Sequence, residues 1–117
     1  MNKITKKEVK EFVKGKLGTD RIWALKALLK IFEFQTLDEQ KSKDTIYHNG
    51  VGFNGTDGEI LSSFALQFQK KKYLSEKQMV IVFKKMPKYW NQVVKISNEE
   101  KLHSLIHLYW NLLGQRA

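Results

Sequence analysis

Five Ser/Thr residues in this chain are each followed three positions later by Glu or Gln: Thr5/Glu8, Thr36/Glu39, Thr56/Glu59, Ser75/Gln78 and Ser97/Glu100. Such a pair lets two side chains satisfy free N–H groups at a helix start reciprocally. Apolar residues at helical spacing follow four of the five starts. The recurrence predicts an all-α single compact domain, residues 1–117, of about five main helices.

The first helix is expected from about Lys6 to Leu17, with Val9, Phe12, Val13 and Leu17 inward and Gly18 as its stop. A second follows Asp20, its stripe formed by Ile22, Leu25, Leu29 and Phe32 and widened by Ala24, Leu28 and Ile31; apolar cover over most of its surface marks it as central. Thr36 is expected to cap a short polar helix to about Lys43, and Thr56 a third long helix with Ile60, Leu61, Phe64, Ala65 and Phe68 inward. Between them, residues 44–58 read DTIYHNGVGFNGTDG. The Asn49-Gly50 step suits a type I′ turn, so this Gly-rich segment is either a small β-hairpin or an ordered loop.

Ser75 caps the next helix, whose apolar positions Met79, Phe83, Met86, Trp90 and Val93 keep phase through Pro87. One kinked helix is favoured over a new helix starting at the proline. Ser97 caps the last, with Leu102, Leu105, Ile106, Tyr109, Leu112 and Leu113 on one stripe and Gly114 as its stop.

Of 117 residues, 21 are Lys or Arg and 12 are Asp or Glu, a net charge of +9. Residues 1–35 carry +5, residues 36–58 −2, residues 59–95 +6, and residues 96–117 are neutral. Such an excess points to a polyanionic partner. There is no cysteine, hence no disulfide framework, thiolate metal site or Cys nucleophile. No apolar run approaches the ~20 residues of a membrane span, and the charged start from Met1 to Lys16 is unlike a secretory signal, so an intracellular location is expected.

The run from Gly50 to Gly55 matches G-x-G-x-x-G, but Thr45–His48 is too short and polar for the strand a dinucleotide site requires. The open alternatives there are a phosphate held by free loop N–H groups, opposed by Asp57 and Glu59, and a purely structural turn. His103 and His107 are four apart, without an HExxH motif, and read as boundary residues. Trp23, Trp90 and Trp110 read as core or interface anchors. No serine lies in G-x-S-x-G and no marked carboxylate pair occurs, so neither catalysis nor a cofactor is expected.

The strongest candidate is a nucleic-acid surface of Lys70, Lys71, Lys72, Lys77, Lys84, Lys85 and Lys88 with Tyr89 alongside. Lysines neutralise phosphates and tyrosine stacks on bases. With only Arg21 and Arg116 to supply bidentate guanine contacts, binding should be weakly sequence-specific. The Tyr73-Leu74-Ser75 linker also fits a helix-turn-helix, with Glu76, Lys77 and Gln78 toward base edges.

The ordered set NGVGF (49–53), Asp57, EILSSFALQF (59–68), LSEKQ (74–78) and KKMPKYW (84–90) resembles a small module that recurs in bacteriophage and mobile-element proteins. That resemblance carries no catalytic role. It implies a phage or plasmid source, a bacterial cytoplasm, and either nucleic-acid binding or inhibition of a host machine. In the second case the partner would be a protein or ribonucleoprotein, as for an anti-CRISPR protein. Gly58 departs from the pattern by weakening its helix's first turn. A homodimer through Trp90 or Trp110 is compatible with both.

Overall fold

The computed structural model describes residues 4–41 and 52–113. The described residues form α1 (Lys6–Thr19), α2 (Arg21–Lys41), α3 (Gly55–Lys71), α4 (Glu76–Lys85), a 3-10 turn (Met86–Tyr89), α5 (Trp90–Ile96) and α6 (Glu99–Leu113), with no strand among them. The domain is all-α. The expected hairpin strand at 45–48, its Asn49-Gly50 turn and the Gly114 stop lie outside the described residues.

Two of the five capping pairs form in full. Thr5 and Glu8 exchange hydrogen bonds at the start of α1, and Ser75 and Gln78 do so at the start of α4. Asp20 opens α2, its carboxylate accepting from the N–H groups of Ile22 and Trp23 at 3.0 and 3.2 Å.

The other three pairs are corrected. Thr36 starts no helix: α2 runs unbroken to Lys41, and the Thr36 hydroxyl donates to the Phe32 carbonyl one turn back at 2.9 Å. α3 begins one residue before Thr56, after Asn54, with Gly55 at φ +35°, a value that suits glycine. Asn98, not Ser97, caps α6, accepting from the Lys101 N–H at 3.0 Å; the Ser97 hydroxyl bonds back to Val93.

Pro87 divides the expected kinked helix. Without an N–H it cannot continue the α-helical ladder, and the chain passes through a 3-10 turn before α5 resumes. The stripe nevertheless stays inward, with Met79, Met86 and Val93 buried and Phe83 and Trp90 half-buried. The Pro87 ring lies 3.4 Å from where a Cβ on Gly18 would stand, so Gly18 serves close packing, and α1 runs on to Thr19.

α1 and α2 pack on each other, and each meets α4, the 3-10 turn and α5. α3 lies on α2 and α4, and α6 lies on α1. Leu17, Leu28, Ile31, Leu61, Leu74, Met86 and Ile106 are fully enclosed.

Candidate functional site

A dense cluster of hydrogen bonds and ion pairs among the described residues joins the residues before α3 to the 3-10 turn. Asp57, in the first turn of α3, is 3% exposed, the one buried charged residue among those described. Its carboxylate accepts from the Lys85 ammonium at 3.0 Å, from the Lys88 ammonium, and from the Tyr89 hydroxyl at 2.9 Å. The Tyr89 hydroxyl in turn accepts from the Asn54 N–H at 2.9 Å. Foremost the Lys88 ammonium, then Lys85 and Tyr89, hold the Asp57 carboxyl down to about 2 from an ordinary 3.8, against the opposing effect of burial. Burial first, and then the adjacent carboxylate, pushes the Tyr89 hydroxyl up to about 12.

Two glutamines complete this clasp. Gln92 accepts from the Gly52 N–H at 2.8 Å and donates to the Gly52 carbonyl at 3.0 Å. Gln35 of α2 accepts from the Phe53 N–H at 2.8 Å and lies so near Gly52 that a Cβ there would meet its Oε1 at 3.2 Å. The Phe53 ring stands edge-on to Tyr89, centroids 5.5 Å apart.

Three candidate roles are thereby corrected. The N–H groups of Gly52, Phe53 and Asn54 are all spent on side chains, and a carboxylate sits in the first turn of α3. The described part of the Gly-rich segment is therefore no phosphate cradle. Tyr89 is 2% exposed and cannot stack on a base. Lys85 and Lys88 are counter-charges to Asp57 rather than a free phosphate-binding pair.

The remaining lysines of the expected surface separate. Lys70, Lys71, Lys72 and Lys77 stand exposed around the α3–α4 turn. Lys84, also exposed, lies seven residues beyond Lys77 along α4, about 10 Å at 1.5 Å per residue. None of these five forms an ion pair with a described residue. Lys72 holds a left-handed backbone, φ 58°, where its N–H caps α3 by donating to the Phe68 carbonyl at 2.8 Å. Gln78 is taken up by the Ser75 cap and by reciprocal bonds with Gln67, which leaves Glu76 and Lys77 as the free outer residues of the supposed recognition helix.

Compared with protein-family models, curated proteins and solved structures, the chain matches none. The site alone therefore carries the functional argument.

Two residues at the α3–α4 turn are missing from the expected surface. Tyr73 is 58% exposed immediately after Lys70–Lys72, and Gln67 fixes its carbonyl at 3.1 Å. Arg21, at the start of α2, reaches the turn and donates to the Leu74 carbonyl at 3.3 Å. The K-K-K-Y run was the available signal for Tyr73. Nothing local to Arg21 marks a contact 53 residues away in sequence.

The N-terminal basic block also meets the second one. The Lys10 ammonium lies 5.5 Å from the centre of the Trp90 ring, and Lys14 stands between Lys10 and Gly18 on the same α1 stripe. Trp23 packs edge-on to Phe12, centroids 5.8 Å apart. His103 lies 4.0 Å from Glu99, and His107 sits edge-on to Trp110. Among the described residues no three His, Cys, Asp or Glu side chains gather as metal ligands, and no helix is long and apolar enough to cross a membrane.

Proposed function

We propose that this protein binds nucleic acid through the α3–α4 turn, with single strands preferred and little sequence selectivity. The exposed Tyr73 ring, set among Lys70, Lys71, Lys72, Lys77 and Arg21, supports this most directly. A basic turn tracks the phosphate backbone, and an exposed aromatic ring stacks on whichever base is presented. The Arg21 guanidinium is partly engaged by the Leu74 carbonyl, which weakens it as a bidentate reader of guanine. The backbone at Lys72 adds support: glycine suits a left-handed cap better, and lysine there keeps a charge at the expense of some stability.

Fluorescence anisotropy with labelled single-stranded DNA, single-stranded RNA and duplex tests the proposal. Neutralising four or five phosphates gives a slope of about −3 in log K against log salt for a single strand. Tyr73→Ala should cost about tenfold in affinity, a typical value for one stacked base. Lys72→Gly should weaken binding while raising thermal stability, an outcome misfolding cannot imitate. Absence of binding at low salt, or unchanged binding by both variants, refutes the proposal. Retention of one stoichiometric host protein after nuclease treatment would replace it with an inhibitor acting on that protein.

A further inference from the structure

A groove of about 460 Å³ runs between α1 and α6, built from neither the clasp nor the α3–α4 turn. Phe12, Tyr109 and Trp110 give it aromatic walls, and Glu8 and Glu11 stand at the end nearer the start of α1. Three observations say what it holds. The rings already carry a cation: the Lys16 ammonium lies 5.0 Å from the centre of the Tyr109 ring and 5.7 Å from that of Phe12. A ring face attracts positive charge through its quadrupole. Asp20 answers Lys16 at 3.7 Å, so that lysine does not cancel the carboxylates at the other end. Glu11 is exposed in the groove and forms no ion pair with a described residue, although Lys7 and Lys14 stand four before and three after it on the same helix. The Glu8 carboxylate beside it also serves the Thr5 cap. Finally, Gly15 weakens α1 from mid-helix. Packing does not require it, because a Cβ there would meet nothing within 4 Å. The space that its missing side chain leaves open is groove floor.

We propose that this groove binds a small alkylammonium compound, its charged nitrogen at Glu11 and Glu8 and its hydrocarbon along Gly15 against Tyr109 and Trp110. The walls choose among cations. A divalent metal ion takes several oxygen ligands, and no three His, Cys, Asp or Glu side chains gather as metal ligands among the described residues. A compact hydrated ion leaves the rings unused, whereas an alkylated nitrogen lays its carbon on them and keeps its charge for the carboxylates. The α6 wall opposes no cation, since the sequence has no Lys or Arg from Leu102 to Gln115. The net charge of +9 acts against a cation from a distance, and salt screens that repulsion beyond about 8 Å.

Proton–nitrogen NMR on the full chain reads the groove through its tryptophan. Trp110 lines it, whereas Trp90 lies beside Lys10 and serves as an internal control. n-Butylammonium chloride should shift the Trp110 indole signal saturably and leave that of Trp90 in place, with half-saturation at about 10 mM, as suits a ligand of few atoms. Ammonium chloride and n-butanol, at matched ionic strength, should each act at least about fivefold more weakly, because each lacks one half of the recognition. Glu11→Gln should weaken butylammonium binding about fivefold. Gly15→Leu should abolish saturation while raising the melting temperature, since leucine fills the floor and favours the helix. Misfolding cannot produce that pair of results. A response to ammonium equal to that of butylammonium makes the groove a site of unselective counter-ions and overturns the proposal. An equal response to butanol makes it an apolar crevice and overturns it too. So does a Trp110 signal that stays in place up to about 50 mM butylammonium, or binding undiminished in both variants.

Discussion

Replacing Asp57 by asparagine keeps the shape of the clasp and removes its charge. The carboxyl titrates at about 2 in the folded chain against an ordinary 3.8. At about 1.4 kcal/mol per pKa unit, that difference corresponds to about 2.5 kcal/mol of linked stability. Its partners Lys85 and Lys88 are a third to a half exposed, so solvent screening reduces the usable amount to about 1–2 kcal/mol. For a domain of this size, about 4 °C of melting temperature accompanies each kcal/mol, so Asp57→Asn should melt about 4–8 °C lower at pH 7. The sign of the pH dependence follows from the direction of the shift. A carboxyl held low when folded contributes its full stability above the ordinary pKa and loses it as pH falls through the folded value. Asparagine does not titrate there. The gap between wild type and variant should therefore be widest at neutral pH, about half as wide at pH 3, and narrower still toward pH 2. Thermal melts by circular dichroism at pH 7, 4 and 3 measure it. A gap under about 1 °C at pH 7, or one of equal width at pH 7 and pH 3, would refute the view that an ionised Asp57 anchors this junction.

Tyr89→Phe keeps the edge-on contact with Phe53 and removes two hydrogen bonds, which should cost about 1–2 kcal/mol. It should also abolish one tyrosinate absorbance step near pH 12 in the wild-type alkaline titration; the phenol's raised value means its contribution is lost as pH rises from about 10 through about 12. Gly15 lies in mid-helix in α1, and a Cβ there would meet nothing within 4 Å. Gly15→Ala should therefore raise the melting temperature by about 2–4 °C through helix propensity alone. Lys72→Gly should stabilise by about 0.5–1 kcal/mol in chemical denaturation, since glycine adopts the left-handed cap without steric cost.

The helical class, the order of the helices and the inward positions of α1, α3 and α4 could be read from the chain, because apolar spacing and the Thr5 and Ser75 capping boxes are local signals; the stripes expected for α2 and α6 fail in part, since Ile22, Leu105, Tyr109 and Leu112 are exposed. The same Ser/Thr-x-x-Glu pattern misled at Thr36. A capping box needs a break in the backbone before it, and Phe32 to Gln35 provide none. Tyr89 misled for a geometric reason. On an unbroken α-helix it shares an outer stripe with Lys85, but the Pro87 turn advances by about 120° per residue instead of about 100°. Over the four residues Met86–Tyr89 this adds about 80° and carries the phenol inward. Asp57 was legible only as a negative charge near a glycine run. Its partners lie 28 to 32 positions away, beyond the reach of any local pattern.

Asp57, Lys85, Lys88 and Tyr89 are one bonded unit, tied to the residues before α3 through the Asn54 N–H, and the 74–78 segment holds the Ser75 cap that starts the helix bearing Lys85. Lys85 and Lys88 thus belong to stability before they belong to binding. This changes which variants inform on function. Substituting Lys84, Lys85 and Lys88 together would strip Asp57 of both counter-charges, so weaker binding by that variant would report on the fold. Lysines 70 to 72 and 77 touch no such cluster, and Lys72→Gly is expected to strengthen the fold while removing a charge from the turn. Loss of affinity alongside a gain in stability separates the surface from the scaffold, which no substitution within the clasp can do.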